Sequence, residues 1–206
     1  MPGGVIRPSM DQMRESVFAC LGDLSGRSFL DFFSGSGIIA LEAASRGAAC
    51  VEAVENDPGK REMLLRNVSI SPVRISCRFM SAELYVLRAK RAFDCIFLDP
   101  PFPYRFKWDL LSRIAASPLV SPGSLILLHR PSSDRPPEGL SLPPAAQGQP
   151  AAPGLAEALG QPEAQGRAMA LRRADSREYG RSVVDFFRAE PAGGAGGLSQ
   201  RAEPMG

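Results

Sequence analysis

Histidine is almost absent from this chain of 206 residues: His129 is the only one. Cysteine is sparse too, with Cys20, Cys50, Cys77 and Cys95 far apart and no CxxC pair among them. With one imidazole and no clustered thiols, no metal site is expected, and the cysteines read as small apolar side chains in a reducing cytoplasm. No window approaches the roughly 18 uninterrupted apolar residues that span a bilayer. The opening MPGGVIRPSMDQMRES lacks the apolar stretch of a secretory leader, so no membrane partner is expected. Net charge is only +2, which by itself names no polyanionic partner. Lysine is scarce, 3 residues against 21 arginines. Arginine is the better phosphate fork and stacking plane, but a genomic bias gives the same skew.

What is present is the 44% apolar and 22% charged balance of a globular protein, with length for one good-sized domain. The composition breaks near residue 131. Residues 131–166 are rich in Pro, Ala, Gly and Gln and bury too little to offset their ordering entropy, so they read as a disordered insertion. Residues 191–206 read as a loose tail. Between them, 167–190 has the pattern of two short strands around a turn at Gly180.

The front half alternates short apolar strands with helical patterns. Met10, Met13, Val17, Leu21 and Leu24 recur at near-helical spacing behind Ser9, which with Gln12 resembles a capping box. Strands are expected at 28–33, 50–55, 74–79, 93–98 and 124–129, with helices at 38–46, 58–68, 82–90 and 106–116. This order implies an α/β fold: a mainly parallel sheet, helices on both faces, and an antiparallel C-terminal strand. Ligands bind such sheets outside the carboxyl ends of the strands. Asp31, Glu55 and Asp99 all stand at such ends.

The segment DFFSGSGIIALEA, residues 31–43, runs from strand through a glycine loop into a helix. Gly35 and Gly37 permit positive φ and close backbone approach, and the helix start offers free N–H groups. With Glu55 about 20 residues on, the pattern also fits a dinucleotide fingerprint, so nicotinamide or flavin is an open alternative. The acid ahead of the glycines points elsewhere. Asp31 would repel a pyrophosphate but suits a ligand carrying an ammonium group, such as S-adenosyl-L-methionine. The second segment is FDCIFLDPPFPYRF, residues 93–106. Two prolines cannot continue a central strand, so an acid-tipped, stiff loop follows it.

In this order and spacing, DFFSGSG, VEND and DPPF resemble the motifs of class I S-adenosylmethionine-dependent methyltransferases. The nearer likeness is to the bacterial 16S rRNA guanine-N2 methyltransferases of the RsmD type. RPSMDQMRESVF (7–18), ALEAASRGA (40–48) and REYGRSVVDFF (177–187) carry it further, over roughly 6–130 and 167–188. The resemblance implies a Rossmann-like seven-stranded methyltransferase sheet. It implies that Asp31, Ser34, Gly35 and Gly37 cradle the methionine part of the cofactor, with Phe33 and Asn56 also among the cofactor-binding residues. Glu55 would meet the ribose, and Ser81 and Ala82 the adenine. Asp99, Pro100, Pro101 and Phe102 would hold the target base, and Arg7, Ser9, Tyr104 and Arg105 the RNA. The expected partner is 16S rRNA within a partly assembled small subunit, and the enzyme is expected to be a monomer.

The chain departs from the family pattern in four places. It starts almost at VIRPSM, where the family carries a basic hairpin expected to help bind RNA. Ser9 replaces a threonine, Ser81 stands where many methyltransferases have Asp or Asn, and the 131–166 insertion is extra. Bland readings stand beside the functional ones. Asp31 can cap a turn, Glu55 can be a solvated strand end, and Asp57 can cap a helix. Phe102, Phe106 and Trp108 can be packed core, and Arg7 and Arg14 solvated helix charges. His129 reads as structural: no histidine lies near the DPPF motif in sequence, and positioning needs none. Three rival functions remain at this point: an adenine-N6 methyltransferase on DNA or RNA, an rRNA-binding assembly protein without turnover and, third, a redox enzyme.

Overall fold

Each of the expected strands forms, and their order places the ligand end of the sheet. The computed structural model describes residues 8–136, 141–142 and 169–191. Most of the expected insertion and the 192–206 stretch of the tail lie outside the described residues. The elements are α1 (Pro8–Leu21), β1 (Ser28–Phe32), α2 (Ile38–Ser45), β2 (Cys50–Glu55), α3 (Arg61–Val68), β3 (Ile75–Phe79), α4 (Ala82–Leu87), β4 (Cys95–Leu98), α5 (Lys107–Ala115), β5 (Leu125–Pro131), β6 (Ser141–Leu142), β7 (Met169–Tyr179) and β8 (Ser182–Pro191). The sheet order is β3-β2-β1-β4-β5-β8-β7-β6. The first five strands in that order run parallel, β8 is antiparallel to β5, and β7 is antiparallel to β8. This is the expected Rossmann-like methyltransferase sheet, with the two-residue β6 added as an eighth strand at its edge.

Alternation along the central strands divides the core between the two faces. Phe29, Cys95 and Phe97 pack with α1, α2 and α3 around Phe18, Val51 and Leu64. Leu30, Phe32, Ile96 and Leu98 point the other way, toward α4 and α5. Chain order reverses between β1 and β4, and there the loops diverge to leave a crevice.

Several boundaries differ from the sequence expectation for local reasons. β1 stops at Phe32 because Phe33 takes φ +61°. The helix expected over 58–68 opens as a 3-10 turn, Pro58–Lys60, where the Asp57 carboxylate accepts the Gly59 N–H at 2.9 Å. β5 runs on to Pro131 because β8 pairs with it over its whole length. The C-terminal strands are long, 11 and 10 residues, with a register shift between Arg173 and Asp175. Most of β7 is exposed, so its sequence carries little apolar alternation to reveal its length.

One buried ion pair ties this hairpin to the sheet. Arg130 Nε donates to Asp185 Oδ2 at 2.5 Å, and Ser176 Oγ donates to Asp185 Oδ1 at 2.8 Å. Arg130 also donates to the Asp134 carbonyl, and the Asp134 carboxylate pairs with buried Lys107 at the start of α5. The loop after β5 is thus braced against the loop after β4. Removing one charge leaves the other buried and uncompensated, so Asp185→Leu is expected to cost about 3–5 kcal/mol. Thermal melting checks this, with a fall of roughly 2–4 °C expected per kcal/mol.

Candidate active site

The crevice at the strand ends is a cleft of about 1340 Å³. Asp31 and the glycine loop, Glu55, Ser81, Asp99 and His129 line it, with Met10 and Arg14 of α1 and Tyr179 and Arg181 of the β7–β8 turn at its rim. Residues in or just beyond β1 to β5, with the β7–β8 turn, therefore converge on one space.

Asp31 lies at its floor, 1% exposed, and its Oδ2 is buried without a hydrogen-bond partner. Burial holds this carboxyl well above the usual carboxylate range, and the nearby Asp99 and Glu55 charges add to the rise. An ionised carboxylate in such a place needs a cation. The ammonium or sulfonium of S-adenosylmethionine fits that orphaned oxygen, whereas a pyrophosphate does not.

Glu55 is 5% exposed and is no solvated strand end. Its Oε2 accepts the Gly35 N–H at 2.7 Å and its Oε1 accepts the Asp57 N–H at 2.8 Å, while the Lys60 ammonium stands 3.7 Å away. The acid thereby braces two loops at once, and each oxygen keeps capacity for a further donor such as a ribose hydroxyl. The Ser34 N–H donates to the Val54 carbonyl at 3.0 Å, and Ser34 Oγ donates to the Asp31 carbonyl at 2.7 Å.

The two glycines do different work. Gly35 lies on the cleft wall at φ +56°, and a Cβ there meets nothing nearer than the Phe33 carbonyl oxygen at 3.9 Å. Gly37, at φ +80°, faces α3, where a Cβ would lie 2.5 Å from Leu64 Cδ1 and 3.1 Å from Val68 Cγ1. Gly37→Ala adds overpacking to left-handed strain and is expected to cost about 2–4 kcal/mol, against about 1–2 for Gly35→Ala. Denaturant titration of both variants checks this, and equal losses would contradict it.

Asn56 and Ala82 border the cleft, and Ser81 caps α4 by accepting the Leu84 N–H at 3.2 Å. The acid-Pro-Pro-Phe loop lines the same cleft. Pro100 is buried and Pro101 exposed, and the Tyr104 N–H donates to the Pro101 carbonyl at 2.8 Å. Phe102 is 51% exposed and Phe106 66%, so neither is packed core, while half-buried Trp108 does lean on the core. The Tyr104 ring lies 5.3 Å from that of Phe33, and its hydroxyl donates to Glu83. Burial and the Glu83 carboxylate push this phenol well above its usual range. Arg105 faces an adjoining groove of about 410 Å³ with Trp108 and Arg135. Arg14 pairs with Asp11 at 2.9 Å while lining the rim. Arg7 and the Ser9 side chain lie outside the described residues.

His129 corrects the sequence reading. It is 30 residues from the motif, yet its Nδ1 stands 2.7 Å from Asp99 Oδ1, and its ring meets Phe102 edge-on at 5.9 Å. A histidine therefore does lie beside the DPPF loop, brought there by the parallel pairing of β4 with β5. Its position at the carboxyl end of a buried strand was the available signal. Among the described residues no group of three or more His, Cys, Asp or Glu is placed to hold a metal.

The family model described as Conserved hypothetical protein 95 matches residues 1–142. The Ribosomal RNA small subunit methyltransferase D of Haemophilus influenzae is 29% identical over 134 residues, 60% of this chain and 67% of that protein. The chain spans only about half the length of other curated relatives of the same name. The tRNA1(Val) (adenine(37)-N6)-methyltransferase of Edwardsiella ictaluri is 35% identical over 78 residues, 37% of this chain and 32% of that protein. A conserved hypothetical protein of Streptococcus pyogenes shares the fold, with a TM-score of 0.66 and 22% identity over 86% of this chain and 94% of that one. With its motifs, its strand order and a matched segment of more than half its length, the chain belongs to the Conserved hypothetical protein 95 family, that of the RsmD-type methyltransferases.

Proposed function

We propose that this protein methylates the exocyclic N2 amine of a guanine in the 16S rRNA of the small ribosomal subunit, with S-adenosylmethionine as the donor. One observation carries the reading: a single cleft is lined both by Asp31, whose Oδ2 is buried without a partner, and by the stiff Asp99–Phe102 loop. When bound, the cofactor supplies an electrophilic methyl group on a sulfonium. Asp31 holds the cationic end, the Ser34–Gly35 backbone and Glu55 hold the rest of the amino acid and the ribose, and Ser81 and Ala82 flank the adenine.

The amine of guanine is a poor nucleophile because its lone pair is delocalised into the ring. Asp99 Oδ2 and the Pro100 carbonyl each accept one N–H, which favours a pyramidal nitrogen with its lone pair directed at the methyl group. Exposed Phe102 gives the flipped base a stacking face. As the N–C bond forms, the S–CH3 bond of the sulfonium would break to leave a neutral thioether, and the amine sheds one proton, which Asp99 Oδ2 takes and passes to water. The rest of the rate comes from positioning. The substrate is RNA in a partly assembled subunit, met by a monomer in the cytoplasm. No helix among the described residues is long and apolar enough to cross a membrane.

An adenine-N6 target is the second reading, favoured by the Edwardsiella relative, because an acid and a carbonyl serve any exocyclic amine equally. Radiolabel transfer to small subunits lacking their own methylation, followed by digestion to nucleosides, tests both. Label in N2-methylguanosine is expected, and label in N6-methyladenosine would replace the first reading with the second.

A further inference from the structure

The cleft is lined by a buried imidazole that methyl transfer as proposed leaves without a role. His129 is 5% exposed, and its Nε2 is buried with no partner. Its only polar contact among the described residues is Asp99 Oδ1, 2.7 Å from Nδ1. Asp99, by contrast, keeps its side chain 27% exposed to the cleft. We propose that His129 is the positioning residue of Asp99: its neutral imidazole donates Nδ1–H to Oδ1, fixes the carboxylate plane, and leaves Oδ2 as the carboxylate's free acceptor for the target amine, beside the Pro100 carbonyl. This rests on the methyltransferase reading and names the group that sets its geometry.

The hydrogen-bond chemistry selects the tautomer. With Asp99 ionised, an unprotonated Nδ1 would set two acceptors against each other at hydrogen-bond distance. A proton on Nε2 would instead be a buried donor without an acceptor, which is expensive. Donation from Nδ1 makes a charge-assisted bond and leaves only a lone pair unpaired. The imidazole is itself held. Its strand is paired on both sides, with β4 and with β8, where His129 stands opposite Val184. The next residue, Arg130, anchors the same strand to Asp185 from the opposite face. Without the imidazole, Asp99 can rotate about its side-chain torsions and offer either oxygen, or neither, to the amine. A carboxylate on a stiff loop whose own torsion is free is positioned only halfway.

Because His129 is the only histidine, its ring nitrogens give the sole imidazole signals of the protein. Nitrogen-15 NMR of histidine-labelled protein, without cofactor or RNA, is expected to show a protonated Nδ1 and a bare Nε2 at neutral pH. An Nε2–H tautomer or an imidazolium would overturn the proposal. Kinetics then separate positioning from packing. His129→Leu keeps the volume and is expected to lose about 100-fold in kcat, with cofactor affinity unchanged. His129→Asn places an amide N–H near the position of Nδ1 and is expected to recover activity to within several-fold of the parent. A Leu variant as active as the parent would reduce His129 to packing. An Asn variant as poor as the Leu variant would mean that the ring does more than orient Asp99. Both outcomes overturn positioning. Wild-type protein that transfers no methyl group would overturn the methyltransferase reading itself, while the tautomer signal would still report on the hydrogen bond.

Discussion

Asp99→Ala is expected to lower kcat for methyl transfer by about 10²–10³-fold, the scale of removing one preorganised polar group that acts on the transition state. Charge and geometry both enter. The carboxylate is the only acid on the loop of residues 99–106, its Oδ1 is already committed to His129, and its side chain stays 27% exposed where it lines the cleft. Alanine removes the N–H acceptor, the proton sink and the partner of His129 together. Asp99→Asn keeps an acceptor oxygen but brings an NH₂ that competes with the amine's own N–H groups, so it is expected to be nearly as poor. Cofactor affinity is expected to hold in both, because the proposed partner of the cofactor's cationic end is Asp31. Single-turnover label transfer with saturating RNA, beside calorimetry with S-adenosylmethionine, separates the effects. A variant that loses cofactor affinity but not kcat would place Asp99 on the cofactor side.

Asp31→Asn is expected to do the opposite. Losing one charge of a buried pair costs at least about 2 kcal/mol, so binding of S-adenosylmethionine should weaken by roughly 30-fold or more. The empty protein should gain stability. Burial, with some repulsion from Asp99 and Glu55, raises the folded-state pKa of this group above its unfolded value. A group raised in this way supports the fold while protonated, and that support is lost as pH rises through the raised value. Above the unfolded value the buried Asp31 carboxyl therefore weighs on the empty fold, and asparagine removes that weight. The melting temperature of the variant should exceed that of the parent at neutral pH, and the gap should close in acid. The same sign makes cofactor binding stronger as pH rises and Asp31 loses its proton. A variant that binds normally, or a gap that widens in acid, would refute this account of Asp31.

The βα alternation, the glycine loop and the acid-Pro-Pro-aromatic segment are local signals, and they were legible. Period-2 and period-3.6 patterns report burial directly, and prolines and glycines report backbone limits. Asp31, Glu55 and Asp99 were legible for a further reason, since strand ends in a parallel sheet point to one crevice. The length of β7 was not legible, because most of its residues are exposed and leave no apolar alternation. Nor was the division of labour between Gly35 and Gly37, which depends on how closely α3 approaches one of them.

The sequence alone determined the fold class, the strand ends and the chemistry offered there, because each follows from the residue itself and its near neighbours. Tertiary structure alone decided which groups meet. His129 and Asp99, Arg130 and Asp185, and Glu55 and Gly35 are separated by 30, 55 and 20 residues, and no local pattern pairs them. Strand order and register bring each pair within hydrogen-bond reach. The charge state and orientation of a buried polar group are settled by the partner it finds there.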